Sequence, residues 1–198
     1  MNIDIEEVKK LLDEAKAKHE EDERQLREDI KRLVKECPNM EFYLAVPTHP
    51  KYEVSNKGNV RNGKTKKVLK PFDRRGYKRV DFSGISHTLH RKIAEAWIDK
   101  PEGKDFIDHI DRNRGNNNIT NLRWCTRSEN QMNTRKPNTN TSGYRGVSYD
   151  KSKNKWKSSI MINGKPIHLG YFDDPFDAHK IYKNTARKHF GDFAKNNN

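Results

Sequence analysis

Along the first stretch of the chain, residues 4 to 36, apolar positions recur among Glu, Lys, Ala and Arg with no Gly or Pro until Cys37-Pro38-Asn39 stops the run. These are strong helix formers, and the spacing predicts one long helix. Ile5, Val8, Leu12 and Ala15 fall on a heptad seam; His19 and Asp22 interrupt it, and Leu26 and Leu33 resume it. The interrupted seam leaves two alternatives open: a partner-binding helix, up to a homodimer through residues 4–36, or a solvated charged helix.

From Met40 the pattern changes to short alternating runs separated by turns: Tyr52-Glu53-Val54, Asn56 to Asn59, Val60, Val68 to Lys70, Gly76, and Tyr77 to Phe82. Such alternation predicts a small antiparallel sheet. Ile93, Ala94, Trp97 and Ile98 then share one helical face, and Pro101 to Gly103 ends that element. A strand around Phe106 to Ile110 follows, then a polar loop from Arg112 to Asn118, a strand around Leu122 to Cys125, and a helix opening near Ser128, with Thr126 or Ser128 as its cap.

Thr134 to Ser142 is polar, carries Pro137 and has no periodicity, which marks a linker. Beyond it, three strand-like runs, Gly146 to Tyr149, Trp156 to Ile162 and Ile167 to Phe172, are joined by turns that include Asn163-Gly164, a hairpin signal. A closing helix is bracketed by Asp174 as cap, Pro175 in its first turn and Gly191 past its end. Phe176, Ala178, Ile181, Tyr182 and Ala186 supply its apolar face.

Composition narrows the function. Only 31% of the 198 residues are hydrophobic, too few for one large core and enough for two or three small modules. Lys and Arg number 41 against 28 acids. Residues 1 to 36 carry a net −3 and the remainder +16, so a polyanion-binding part begins after the first segment. Nucleic acid is the leading partner and an acidic membrane surface the rival. Cys37 and Cys125 have no CxxC or zinc spacing, and the eight histidines form no HExxH or zinc-finger pattern. Neither a signal peptide nor a long apolar stretch is legible, so the expectation is an unexported, cytoplasmic protein without a membrane partner.

The chemically loaded stretch is Ile107-Asp108-His109-Ile110, then Asn116 to Asn118, Asn121-Leu122-Arg123-Trp124 and Ser128-Glu129-Asn130. An acid-His pair ends the first strand, one Asn follows the His by 12 positions and another by 21. In order and spacing this resembles the HNH nuclease motif, a ββα-metal unit. The resemblance implies Asp108 and Asn130 as metal ligands, His109 as general base, and Asn121 as the residue that braces the loop and orients the imidazole. It implies one Mg²⁺ (or Mn²⁺) per active site. The chemistry suits the assignment: an imidazole with a pKa of about 6.5 accepts a proton from water near neutrality, and a hard divalent ion on oxygen ligands stabilises the charge of a phosphodiester transition state. Turn chemistry is the rival explanation of the pair and its Asn-rich loop, with Asn117 and Asn118 at positive φ. His49, His87, His90 and Arg91 are expected to pack, cap or touch phosphate.

Tyr52-Glu53-Val54-Ser55-Asn56 followed by Gly58-Asn59-Val60-Arg61 resembles the NUMOD4 module that often precedes HNH domains in homing endonucleases. Lys64, Lys66, Lys67, Lys70, Arg74, Arg75, Lys78 and Arg79 give it a basic surface. Gly143-Tyr144-Arg145-Gly146-Val147, Lys155-Trp156, His168 to Phe172, Ala178, Tyr182, Ala186 and Gly191 resemble an AP2 DNA-binding domain. That family lays a three-stranded sheet in the major groove with a helix behind it, which implies that Arg145, Tyr149, Lys151, Lys153, Lys155, Lys157, Lys165 and His168 face double-stranded DNA. Ser148, Ser159 and Met161 stand where plant members carry base-reading Arg, leaving Arg145 as the one strand Arg for a bidentate guanine contact; a sheet that only grips phosphates is the alternative.

The expectation is an α+β chain: a charged helical arm (1–37), a NUMOD4-like small sheet module (40–85), an HNH nuclease (86–134), a linker (135–142) and an AP2-like three-stranded sheet packed on one helix (143–198). Its expected activity is metal-dependent hydrolysis of a selected site in double-stranded DNA by a homing-type endonuclease, as a nick. The alternatives are an AP2-type transcription regulator with a vestigial nuclease and a basic RNA-binding protein.

Overall fold

A computed structural model describes residues 5–134 and 140–194, with the side chains of the first helix described at position 18 and from position 20 on. Most of the expected linker, at 135–139, lies outside the described residues.

The first helix, α1 (Ile5–Glu36), matches the run of helix formers. Near its end it docks on the rest of the chain through Arg27, Ile30, Lys31 and Val34, a three- and four-residue spacing that keeps them on one face. Ile30 and Val34 pack on the main core. Arg27 Nη1 donates to the Ala96 carbonyl at 3.0 Å, and Lys31 Nζ pairs with Asp99 at 2.7 Å. The heptad leucines are not the docked face: Leu26 is 60% and Leu33 40% exposed.

The next segment forms two antiparallel sheets where the sequence pattern predicted one. The first is β1 (Tyr43–Val46), β2 (His49–Ser55) and β3 (Val60–Asn62); the second is β4 (Phe72–Arg74), β5 (Tyr77–Phe82) and β6 (Ile85–Thr88). Val68, expected in a strand, makes only an isolated bridge to Arg61. Helix α2 (Leu89–Trp97) packs on both sheets. Val46, Val54, Val60, Val80, Phe82, Leu89, Ile93, Trp97 and Leu122 fall into one buried cluster. Each such side chain contributes ~1.5–3 kcal/mol of transfer free energy, so the sheets, α2 and the strand carrying Leu122 are held by one shared core. Trp97 adds a polar tie, its Nε1 donating to the Val54 carbonyl at 2.9 Å.

Strands β7 (Phe106–His109) and β8 (Leu122–Cys125) pair antiparallel, with Asp108 opposite Arg123 and His109 opposite Leu122. Helix α3 (Arg127–Met132) opens on a capping box: Thr126 Oγ1 accepts from Glu129 N at 3.2 Å, and Glu129 Oε2 accepts from Thr126 N at 2.7 Å. Trp124 is buried under this unit, and its Nε1 donates to the Ile98 carbonyl at 2.9 Å.

The last segment is an antiparallel sheet of β9 (Val147–Asp150), β10 (Lys155–Ile162) and β11 (Lys165–Phe172), with β10 central. Asn163 (φ 50°) and Gly164 (φ 77°) make the two-residue turn between β10 and β11. Helix α4 (Pro175–Phe190) covers one face, its first amides capped by Asp174 Oδ1, which accepts from Phe176 N at 2.6 Å. Its buried stripe is Ala178, Tyr182, Ala186 and Phe190, one every four residues, together with His179. Phe176 and Ile181, expected on that face, lie off the stripe and are 59% and 38% exposed. Past Gly191 a 3₁₀ turn (Gly191–Ala194) comes back against α3, and Met132 of α3 is buried with Tyr182, Phe190 and Ala194.

Candidate active site

Asp108 and His109 end β7 with only 4% and 5% of their surface exposed, so their polar atoms must be paired within the chain or open onto the cleft. Two residues hold the Asp108 carboxylate. Arg123, its cross-strand neighbour, places Nε and Nη2 each 2.8 Å from Oδ2. Asn133, just past the end of α3, donates Nδ2 to Oδ1 at 2.9 Å and to Oδ2 at 3.1 Å, and also lies 2.8 Å from the His109 carbonyl. Asn133 Oδ1 in turn accepts from Arg112 Nε at 3.2 Å. Asn133 and Arg123 were not singled out by the sequence. The usable signal for Asn133 was its place one helical turn beyond Asn130, and for Arg123 its register opposite Asp108.

The loop between the two strands is knitted by its amides. Asn121 Oδ1 accepts from Asp111 N at 2.9 Å, while its Nδ2 donates to Asp111 Oδ1 at 2.8 Å and to the Asn116 carbonyl at 2.9 Å. Burial pushes the Asp111 carboxyl up, but the hydrogen bonds from Asn116, Asn113 N and Asn121 outweigh it and hold the group below its ordinary value. It is Asn117, not Asn121, that meets the imidazole: Asn117 Oδ1 lies 3.0 Å from His109 Nε2. The reason is position, because the loop turns Asn121 toward Asp111 and Asn117 inward. An amide oxygen only accepts, so this contact calls for a proton on Nε2, and in the neutral ring that leaves the lone pair on Nδ1. Positive φ falls on Arg112 (64°), not on Asn117 or Asn118.

These groups open onto one cleft of about 310 Å³ lined by Tyr77, Asp108, His109, Arg112, Arg114, Asn130, Asn133 and Thr134, among others. Arg114 lies over the Tyr77 ring at 4.5 Å and lines the cleft together with Arg112. His90, from α2, packs edge-on against His109 with ring centroids 5.1 Å apart. Its Nδ1 is buried with no hydrogen-bond partner, and burial, aided by the nearby His109 and Arg91, lowers its pKa to about 4. Cys125 lies behind the site, its thiol pushed up to about 12 by burial and by the neighbouring carboxylates of Asp108 and Glu129. That keeps it a protonated, inert thiol.

Residues 87–132 match the family model described as HNH endonuclease, and residues 41–83 match the NUMOD4 motif. Protein 3.8 of Escherichia phage T7 is 36% identical over 90 residues, covering 46% of this chain and 74% of that protein. The chain belongs to the HNH endonuclease family. An HNH endonuclease of Acanthamoeba polyphaga mimivirus is 33% identical over 124 residues, 60% of this chain. The DNA endonuclease I-HmuI of Bacillus phage SP01 is 40% identical over 91 residues, 41% of this chain. The chain spans 38% of the mimivirus relative's length and 51% of that of I-HmuI. A solved structure of I-HmuI binding and cleaving DNA aligns at 26% identity with a TM-score of 0.42, over 76% of this chain and 83% of that one.

Outside the HNH segment, cross-strand partners sort the basic residues of the C-terminal sheet, because paired residues share a face. Lys157 pairs with Ser148 and Tyr171, and Ser159 with His168, on the face away from α4. Lys155 shares that face, and Lys153 Nζ lies 4.1 Å over the Tyr171 ring. Lys151 is in the β9–β10 turn. Tyr149 pairs with Trp156, and Lys165 with Ile162, so both have the opposite parity, on the α4 side. Arg145 departs furthest from its expected place. Its Nη1 and Nη2 donate at 2.6 Å to the carbonyls of Thr134 and Gln131, and Nε donates to the Tyr182 hydroxyl at 3.1 Å. With all three nitrogens engaged inside the chain, a bidentate guanine contact would require breaking this latch.

Proposed function

We propose that this HNH protein is a metal-dependent homing-type endonuclease that hydrolyses one phosphodiester bond at a selected site in double-stranded DNA. The observation that carries it is the setting of His109: Asn117 Oδ1 meets Nε2 at 3.0 Å, which makes Nδ1 the basic nitrogen of the neutral ring, and His109 lines one cleft with Asp108 and Asn130.

The residues fit a hard divalent ion. Asp108 Oδ2 is taken up by Arg123 and Asn133, but Oδ1 has the single Asn133 donor and keeps a lone pair. Among the described residues there is no cluster of three or more His, Cys, Asp or Glu. A site with one carboxylate and one amide, completed by water and substrate phosphate, is the arrangement Mg²⁺ prefers to an all-protein cage. Asp108 and Asn130 would hold the ion, and Mn²⁺ would fit the same oxygens. Bound there, it would neutralise charge developing on the phosphate and the leaving 3′ oxygen.

The chain's own residues do the rest. His109 Nδ1 takes the proton from the attacking water, with the Asn117 contact keeping the ring in the tautomer that can do so. Arg112 and Arg114 line the cleft as counter-charges for the scissile phosphate. Lys155, Lys157 and His168, on the open face of the last sheet, contact DNA alongside and raise the effective concentration of target at the cleft.

Supercoiled plasmid with Mg²⁺ tests the proposal. Open circles should form first, chelation of the ion should stop the reaction, and His109→Ala should slow it by about 10²–10⁴-fold. A DNA-binding regulator with an idle nuclease is favoured only by the Arg123 clamp on Asp108; DNA binding with no Mg²⁺-dependent cleavage by the wild type would decide for it, while equal cleavage by wild type and His109→Ala would remove the catalytic role of His109.

A further inference from the structure

The turn at residues 55 to 59 belongs to the small sheet module, far in sequence from the nuclease strands, yet it meets the nuclease loop at two points. Ile119 N donates to the Asn56 carbonyl at 3.0 Å. Gly58 lies against Asn117 so closely that a Cβ there would fall 3.1 Å from Asn117 Cβ and 3.2 Å from its carbonyl carbon and oxygen. The turn is firmly built. Ser55 Oγ accepts from Asn59 N at 2.9 Å, and buried Asn56 ties it to the chain before β1, accepting from Phe42 N at 2.9 Å and donating to the Met40 carbonyl at 3.1 Å. Gly58 itself has φ +94°. Asn117, the residue it presses on, is 5% exposed and holds His109 Nε2.

We infer that the sheet module is a positioning part of the catalytic apparatus: the Asn56–Gly58 turn fixes Asn117, and through it the Nε2–H tautomer of His109. Gly58 and Asn117 are positioning residues, and neither need touch DNA. A residue with a Cβ at position 58 would push the Asn117 backbone by a few tenths of an ångström, enough to lengthen a 3.0 Å contact on a buried ring. The module's fit against this loop then bears on catalytic rate and not only on DNA affinity. This rests on His109 being the proton acceptor, so the test reads ring and rate separately.

Gly58→Ala alone confounds crowding with the strain of a positive φ. Gly84 supplies the control: its φ is +86°, and nothing lies within 4 Å of where its Cβ would be. In the full chain, Gly84→Ala should keep wild-type turnover. Gly58→Ala should lose about 10- to 100-fold in turnover, the cost of a small misplacement at a reacting group, with DNA affinity and melting temperature matching Gly84→Ala. The double variant Gly58→Ala/Asn117→Ala should be no slower than Asn117→Ala, since both act through one contact. Nitrogen-15 shifts of the His109 ring, measured about two pH units above the ordinary imidazole value, should report Nε2–H in wild type and Gly84→Ala, and a mixture of tautomers in Gly58→Ala and Asn117→Ala. An unchanged ring in Gly58→Ala, or losses that add in the double variant, would overturn the inference even if His109→Ala is inactive. If His109→Ala cleaves normally while the ring still responds to Gly58→Ala, the positioning stands and the catalytic assignment fails.

Discussion

Asn133 Nδ2 lies within 3.1 Å of both carboxylate oxygens of Asp108 and 2.8 Å from the His109 carbonyl, so one amide just past the end of α3 pins the strand end that carries Asp108 and His109. Asn133 is 3% exposed. Truncating it to Ala leaves a buried carboxylate and a carbonyl short of a donor, which costs about 1–3 kcal/mol. Chemical denaturation should show that loss, and cleavage should fall with it; a midpoint within error of wild type would mean the contact is not made in solution.

His109→Ala removes the free Nδ1 and nothing from the hydrophobic clusters. Turnover should drop by about 10²–10⁴-fold, with plasmid binding in a gel-shift assay nearly unchanged. A loss of binding equal to the loss of rate would argue for a DNA-contact role.

His90 sets an acid limit on stability. Its folded pKa, about 4, lies below the ordinary value of 6.5, so the unfolded chain binds a proton that the folded chain refuses between those two values. The folded state is therefore undiminished above pH 6.5 and loses stability as pH falls toward 4, by about 3 kcal/mol at most. His90→Phe keeps a ring against His109 and removes the titration, so the acid limb of a stability-against-pH curve should flatten in that window. An unchanged limb would place the ring in water.

Gly146 leads into β9 with φ +74°, and a Cβ there would fall 2.1 Å from Tyr182 Cδ2, inside the ring of a 4% exposed tyrosine. Gly146→Ala should cost at least about 3 kcal/mol, the upper end for overpacking. Near-ultraviolet dichroism should show the loss of fixed aromatic packing.

Lys157 lies on the open face of the last sheet, and a phosphate contact there releases about one counterion. Lys157→Ala should weaken binding uniformly across DNA sequences and lower the slope of log affinity against log salt by about one. A sequence-dependent effect would instead assign it to base readout.

Much of the fold was legible because its signals are local. Asp174-Pro175 and Gly191 bracket α4, and Asn163-Gly164 turns β10 into β11, through backbone preferences that need no partner. The two sheets before α2 were read as one, since Val68 and Leu69 alternate like a strand but find only one bridging partner. Within the site, spacing located Asp108, His109 and Asn130, all of which line the cleft. It could not say which Asn of the 116–118 run turns inward, because that choice is made by Gly58 and Asn56 from some sixty residues upstream. Arg145 misled for a similar reason: its carbonyl partners belong to Gln131 and Thr134, and nothing in the strand pattern announces a tertiary latch.

Phe193 stacks 3.6 Å from the Arg123 guanidinium, the same group that grips Asp108. A chimera that grafts another recognition module onto this nuclease by cutting in the 135–142 stretch would strip that aromatic lid from behind the carboxylate. To stay active, such a hybrid must either keep the Gly191–Ala194 turn or supply a new ring for Arg123.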